Sequence, residues 1–118
     1  MKSGDWDTEY GIFMGLLASG VDCASGDDAL QCKEFFDTVK EISGKGQTGK
    51  EKLAQAVKMT RLFLSDGGKS YHARWLMHDA IEVLQGNLEG EGIPLSVFGL
   101  ERYDPERVVM LANGFNGA

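Results

Sequence analysis

His78 and Glu82 stand four residues apart, with Asp79 beside the histidine. On a helix that spacing brings an imidazole and a carboxylate together within one turn. A carboxylate so placed can orient an imidazole as a general base or as one ligand of a metal. The pair nevertheless supplies only two donors. A catalytic zinc needs three protein ligands, and a di-iron site draws carboxylates from several helices. His72 lies six positions before His78, roughly 240° around a helix, and cannot chelate the same ion. The expectation is a His–carboxylate pair on a surface or interface, with no metal; His78, Glu82 and Asp79 are the residues a metal-dependent or small-ligand alternative would use.

Other chemistry-bearing residues are less suggestive. Cys23 and Cys32 are the only cysteines, nine positions apart and without C-x-x-C spacing. Reduced thiols are expected, with a disulfide closing a small loop as the alternative in an oxidising compartment. Gly44 to Lys50 carries the G-x4-G-K of a phosphate loop, but Glu51 replaces the hydroxyl that would hold magnesium and places a negative charge where phosphate would sit. Thr48-Gly-Lys-Glu51 reads instead as a capping box. Asp27 and Asp28 lack the spaced oxygens of a calcium loop and read as a helix cap. There is no G-x-S-x-G serine motif. Enzymatic chemistry is poorly supported, and no cofactor is implied.

Tyr71 and Trp75 point to binding. Aromatic side chains with a polar tip bury large areas at little entropic cost and are enriched at interface centres. At roughly 100° per residue, Tyr71, Trp75, His78 and Glu82 share one face of a helix, opposite Ala73, Leu76, Met77, Ala80, Ile81, Leu84 and Leu88. A helix with two faces worth burying either sits inside a bundle or meets a partner or ligand.

Four long helices are expected to position these residues. The first carries Trp6, Tyr10, Phe13, Met14 and Leu17 at helical spacing to about Ala18, with Asp5 or Asp7 as its cap, and Gly11 and Gly15 permit close approach of a neighbour. A turn-rich loop over 19–26 leads to a second helix, opened by Asp27 or Asp28, with Cys32, Phe35, Phe36, Val39 and Ile42 as its stripe and Gly44 at its end. The third spans about Lys50 to Ser65, with Leu53, Ala56, Val57, Thr60, Phe63 and Leu64 inward, widened by Met59 and Leu62. Asp66-Gly-Gly68 ends it. The fourth starts after Ser70 and runs to near Leu88, so the third and fourth form an antiparallel hairpin. An irregular apolar connector follows around residues 90–103, and Asp104-Pro105 opens a short final helix through Val108, Val109, Leu111 and Ala112, anchored by Phe115. The sequence thus predicts one all-α domain over 1–118, a bundle of four longer helices and a short C-terminal one.

Charge bounds the partners. With 18 Asp and Glu against 12 Lys and Arg, the net charge is −6, which repels duplex phosphate and anionic membrane surfaces. Lys45, Lys50, Lys52 and Lys58 cluster, but Glu41 and Glu51 interleave them, so a solvated face is expected. No apolar run approaches a membrane span, and the acidic start lacks a signal peptide's basic region, which suggests a cytoplasmic protein. The reading favoured is a small acidic helical interaction module, an adaptor, inhibitor or immunity-type binder. It would occlude or bridge a protein partner through Tyr71, Trp75, His78 and Glu82, with the acidic surface steering toward a basic one, and a homodimer is expected. The alternatives are the His–carboxylate ligand or metal site on the fourth helix and an acidic nucleic-acid mimic.

Overall fold

A computed structural model describes residues 6–66 and 68–104 of the chain. Four helices account for most of them: α1 (Trp6–Cys23), α2 (Gly26–Ser43), α3 (Gly49–Leu64) and α4 (Tyr71–Gly90), followed by a 3-10 turn at Leu95–Phe98. No strand forms among the described residues. The predicted helix after Asp104, with Phe115, lies outside them, as does the Asp5 cap.

The helices alternate in direction. Tyr10 at the start of α1 bonds Ser43 at the end of α2 (Oη to Oγ, 2.7 Å), and Asp7 in the first turn of α1 lies against Gly49, which opens α3. Ser70, before α4, bonds the Asp28 carboxylate near the start of α2. Each helix packs against the other three. Between them lies one core that includes Phe13, Leu17, Leu53, Val57, Leu64, Met77, Ile81 and Leu88. Each such side chain contributes about 1.5–3 kcal/mol when fully buried.

Local signals set the starts of α3 and α4. The Thr48 hydroxyl accepts the Glu51 N–H at 3.1 Å, and the Glu51 carboxylate reaches back to the Gln47 N–H at 3.4 Å. This is the expected capping box with its return bond one residue earlier than usual. Ser70 caps α4 by accepting the Ala73 N–H at 3.0 Å. In α2, Phe35 stacks on Phe63 of α3 at 4.4 Å, and the buried Cys32 directs its thiol to the Ala73 carbonyl at 3.8 Å.

Several expectations are corrected. The first helix does not stop at Ala18: α1 continues through Gly20 to Cys23, leaving only Ala24 and Ser25 as the connection to α2. A Cβ on Gly20 would come within 2.8 Å of the Leu76 carbonyl oxygen, so a residue of poor helix propensity is what lets α4 approach α1 this closely. Gly11 and Gly15, expected to provide such closeness, have open space where a Cβ would stand. Asp27 and Asp28 do not cap α2, whose cap position is Ser25; they lie in its first turn, where their charge suits the helix dipole. Ile42 and Leu62, placed on apolar stripes by periodicity, are 42% and 63% exposed.

Candidate functional site

Three polar residues on α4 share a row of which the two-face description of this helix names only His78, on the outer face. Arg74, His78 and Gln85 fall within roughly 40° of one another, between the core stripe and the exposed face, and all three are buried. What buries His78 and Gln85 is the chain itself. After the 3-10 turn, whose Phe98 packs edge-on against Trp6 at 5.2 Å, Gly99 adopts a positive φ of 75°. The chain then doubles back along α3 and α4 as a strap ending in the fully buried Tyr103.

Four attachments hold this strap. Gln85 brackets the Tyr103 backbone, its amide oxygen accepting the N–H at 2.7 Å and its amide nitrogen donating to the carbonyl at 3.0 Å. The Tyr103 hydroxyl meets His78 Nδ1 at 2.6 Å. Arg102 grips Glu89 with Nε at 2.9 Å and Nη2 at 3.3 Å. Arg61 on α3 donates to the Glu101 carbonyl and holds its guanidinium over the Tyr103 ring, 6.0 Å from the centroid. Every strong polar group of Tyr103 is thereby satisfied without water.

Burial pushes the Tyr103 phenol well above its ordinary pKa, with the Glu82 charge adding to the rise. The hydroxyl therefore stays protonated and is assigned as the donor to Nδ1. That puts the proton of the neutral imidazole on Nε2, which faces Glu82 Oε1 at 3.5 Å. A Tyr–His–Glu line of this kind resembles a proton relay, but Tyr103 has no accessible surface for a substrate to reach. In this geometry the line fastens the strap to α4.

Burial also pulls the His78 pKa below the histidine value of 6.5, and Glu82 and Asp79 pull it partly back. The unfolded chain takes up its proton near 6.5, whereas the folded chain resists until lower pH. Stability contributed by the neutral, buried imidazole is thus fully present above about pH 6.5 and is lost as pH falls toward the folded-state pKa. The thermal midpoint of the wild type is expected to drop between about pH 7 and pH 5, and to drop less in His78→Gln. Equal losses in the two proteins would remove His78 as the source.

The predicted residues are thus divided. His78 faces inward, while Glu82 and Asp79 are exposed. Tyr71 is 39% exposed and meets the half-buried Trp75 edge to face, with centroids 5.9 Å apart and planes at 89°. Trp75 in turn rests on the His78 ring at 4.5 Å. Among the described residues no three His, Cys, Asp or Glu side chains converge as a metal set, so His78, Glu82 and Asp79 do not form one. Cys23 is exposed and Cys32 buried, and the two thiols are free rather than bridged. Burial, with Asp28 nearby, pushes the Cys32 thiol up to about 11, which keeps it protonated and unreactive.

Periodicity missed Gln85, Tyr103 and Arg61. The available signal was Gln85 itself, two turns after His78 on the same row, since a second polar side chain at that spacing implies a polar partner along the flank. The chain matches no protein-family model, no curated protein and no solved structure. No described helix is long and apolar enough to cross a membrane.

Proposed function

We propose that this protein is an acidic helical interaction module that binds a basic protein partner through the outer face of α4. The observation that carries the reading is the preorganised aromatic pair. Tyr71 stands at the surface, braced by Trp75, which is braced by His78, which is fixed by Tyr103. An anchor whose rotamer is already fixed loses little entropy on binding. Asp79 and Glu82 follow on the same exposed face, and their charges favour a cationic partner and raise the encounter rate at low salt.

Affinity capture with the wild type, Tyr71→Ala and Trp75→Ala tests this, followed by direct titration of each protein recovered. Loss of a buried aromatic anchor is expected to weaken binding by about 2 kcal/mol, or roughly thirtyfold. Circular dichroism confirms that the variants are folded. If folded Tyr71→Ala and Trp75→Ala bind every recovered partner as the wild type does, the surface is misassigned. Self-association through the same face is the second form of this reading. Light scattering would then show a wild-type dimer that Tyr71→Ala converts to a monomer.

A further inference from the structure

The two apolar residues that periodicity places in the core but the fold leaves outside, Ile42 and Leu62, belong to one groove. A cavity of about 580 Å³ lies between the end of α2, the outer side of α3 and the 3-10 turn, lined in part by Ile42, Lys45, Lys58, Phe98 and Leu100. A second, of about 250 Å³, continues from it past Lys58 and Leu100 to Arg61 and Leu62. Along α3 and its C-cap the lining runs from Glu51 to Ser65. At 1.5 Å per residue that is roughly 21 Å, the length of about four helical turns.

The groove combines an apolar floor with a rim of opposite sign to the chain. Ile42, Leu62, Phe98 and Leu100 supply the floor. Lys45, Lys58 and Arg61 stand along it against one carboxylate, Glu51, and that carboxylate is turned toward the Gln47 N–H. Among the described residues neither Lys45 nor Lys58 is in an ion pair. Arg61 is positioned by a neutral carbonyl and the Tyr103 ring, and among the described residues it too is in no ion pair. A local excess of cations in a chain of net charge −6 selects an acidic occupant. The apolar floor selects one with a hydrophobic stripe. Nucleic acid fits poorly, since three cations are few against the repulsion from the rest of the surface.

We propose that this groove binds an acidic amphipathic helix of about four turns from another protein. Apolar side chains at i, i+3 or i+4, and i+7 would fill the Ile42–Phe98–Leu100–Leu62 floor, and flanking Asp or Glu would meet Lys45 and Lys58, the helix-in-groove mode of recognition. This surface is distinct from the aromatic face of α4 and prefers the opposite charge. The protein would then bridge a basic partner and an acidic one.

The test is selection of a displayed library of random peptides of about 16 residues on the intact protein, followed by anisotropy titrations of labelled winners. The expected winners are net negative with helically spaced apolar residues, and they bind more weakly as salt rises. Lys58→Glu and Leu62→Ser, both at exposed positions, are each expected to weaken binding about tenfold or more, while Tyr71→Ala leaves it unchanged. No enrichment, a neutral or basic consensus, or unaltered binding by both groove variants would overturn the proposal. Light scattering closes the remaining route: self-association of the wild type that Lys58→Glu abolishes would make the occupant a second copy of this chain and overturn the assignment to another protein.

Discussion

Tyr103→Ala is expected to cost about 3–5 kcal/mol of folding stability, which is a large part of the total for a domain of this size. The ring is fully buried and lies under the Arg61 guanidinium, so truncation leaves a cavity between α3, α4 and the strap. It also strands His78 Nδ1, whose partner is the Tyr103 hydroxyl, and a buried polar atom without a partner is itself destabilising. Tyr103→Phe separates the two contributions. It keeps the ring and removes the hydroxyl, so a smaller loss of about 1–3 kcal/mol is expected. Urea denaturation of the three proteins measures both differences. If Tyr103→Ala unfolds within about 1 kcal/mol of the wild type, the strap is not held as described. Binding through the proposed α4 face should weaken alongside stability, because Trp75 rests on His78 and loses its brace when His78 is released.

The second large effect separates two pairs of glycines. A Cβ on Gly20 would approach the Leu76 carbonyl oxygen to 2.8 Å, and one on Gly49 would lie 2.5 Å from the Asp7 nitrogen and 2.8 Å from its Cα. These are backbone atoms, which cannot rotate away, so whole helices must shift. Gly20→Ala and Gly49→Ala are expected to destabilise by about 1–3 kcal/mol, even though alanine is the better helix former by about 1 kcal/mol. Gly11→Ala and Gly15→Ala meet nothing within 4 Å and should stabilise by about 0.5–1 kcal/mol. Thermal melts of the four variants decide the matter by sign. Stabilisation at Gly20 and Gly49 would mean that α1 does not approach α4 and α3 this closely.

The glycines show where sequence reasoning stops. A spacing of four residues drew attention to Gly11 and Gly15, yet propensity and periodicity describe one helix at a time. Whether a missing Cβ matters depends on what stands across from it. Gly20 lay in a stretch read as a loop, because its low helix propensity is visible in the sequence and the α4 backbone that it lets approach is not. For Ile42 and Leu62, periodicity gave a direction around the helix. Among the described residues the fold left that direction without a neighbouring helix, and a groove resulted.

By itself the sequence determined the helices and much of the core. Apolar residues at 3.6-residue spacing are legible because amphipathic burial is a local pattern, and the Thr48 and Ser70 caps are legible because each cap acts within three residues of itself. The short connections then made the alternation of α3 and α4 legible as well. Tertiary structure alone decided which side of α4 is its outside. Tyr71, Trp75, His78 and Glu82 read as one face, but Tyr103 returns from 25 residues later to take His78 inward. The aromatic pair is left at the surface with Asp79 and Glu82. Such a division follows from a contact between residues distant in sequence, and no periodicity within either segment encodes it.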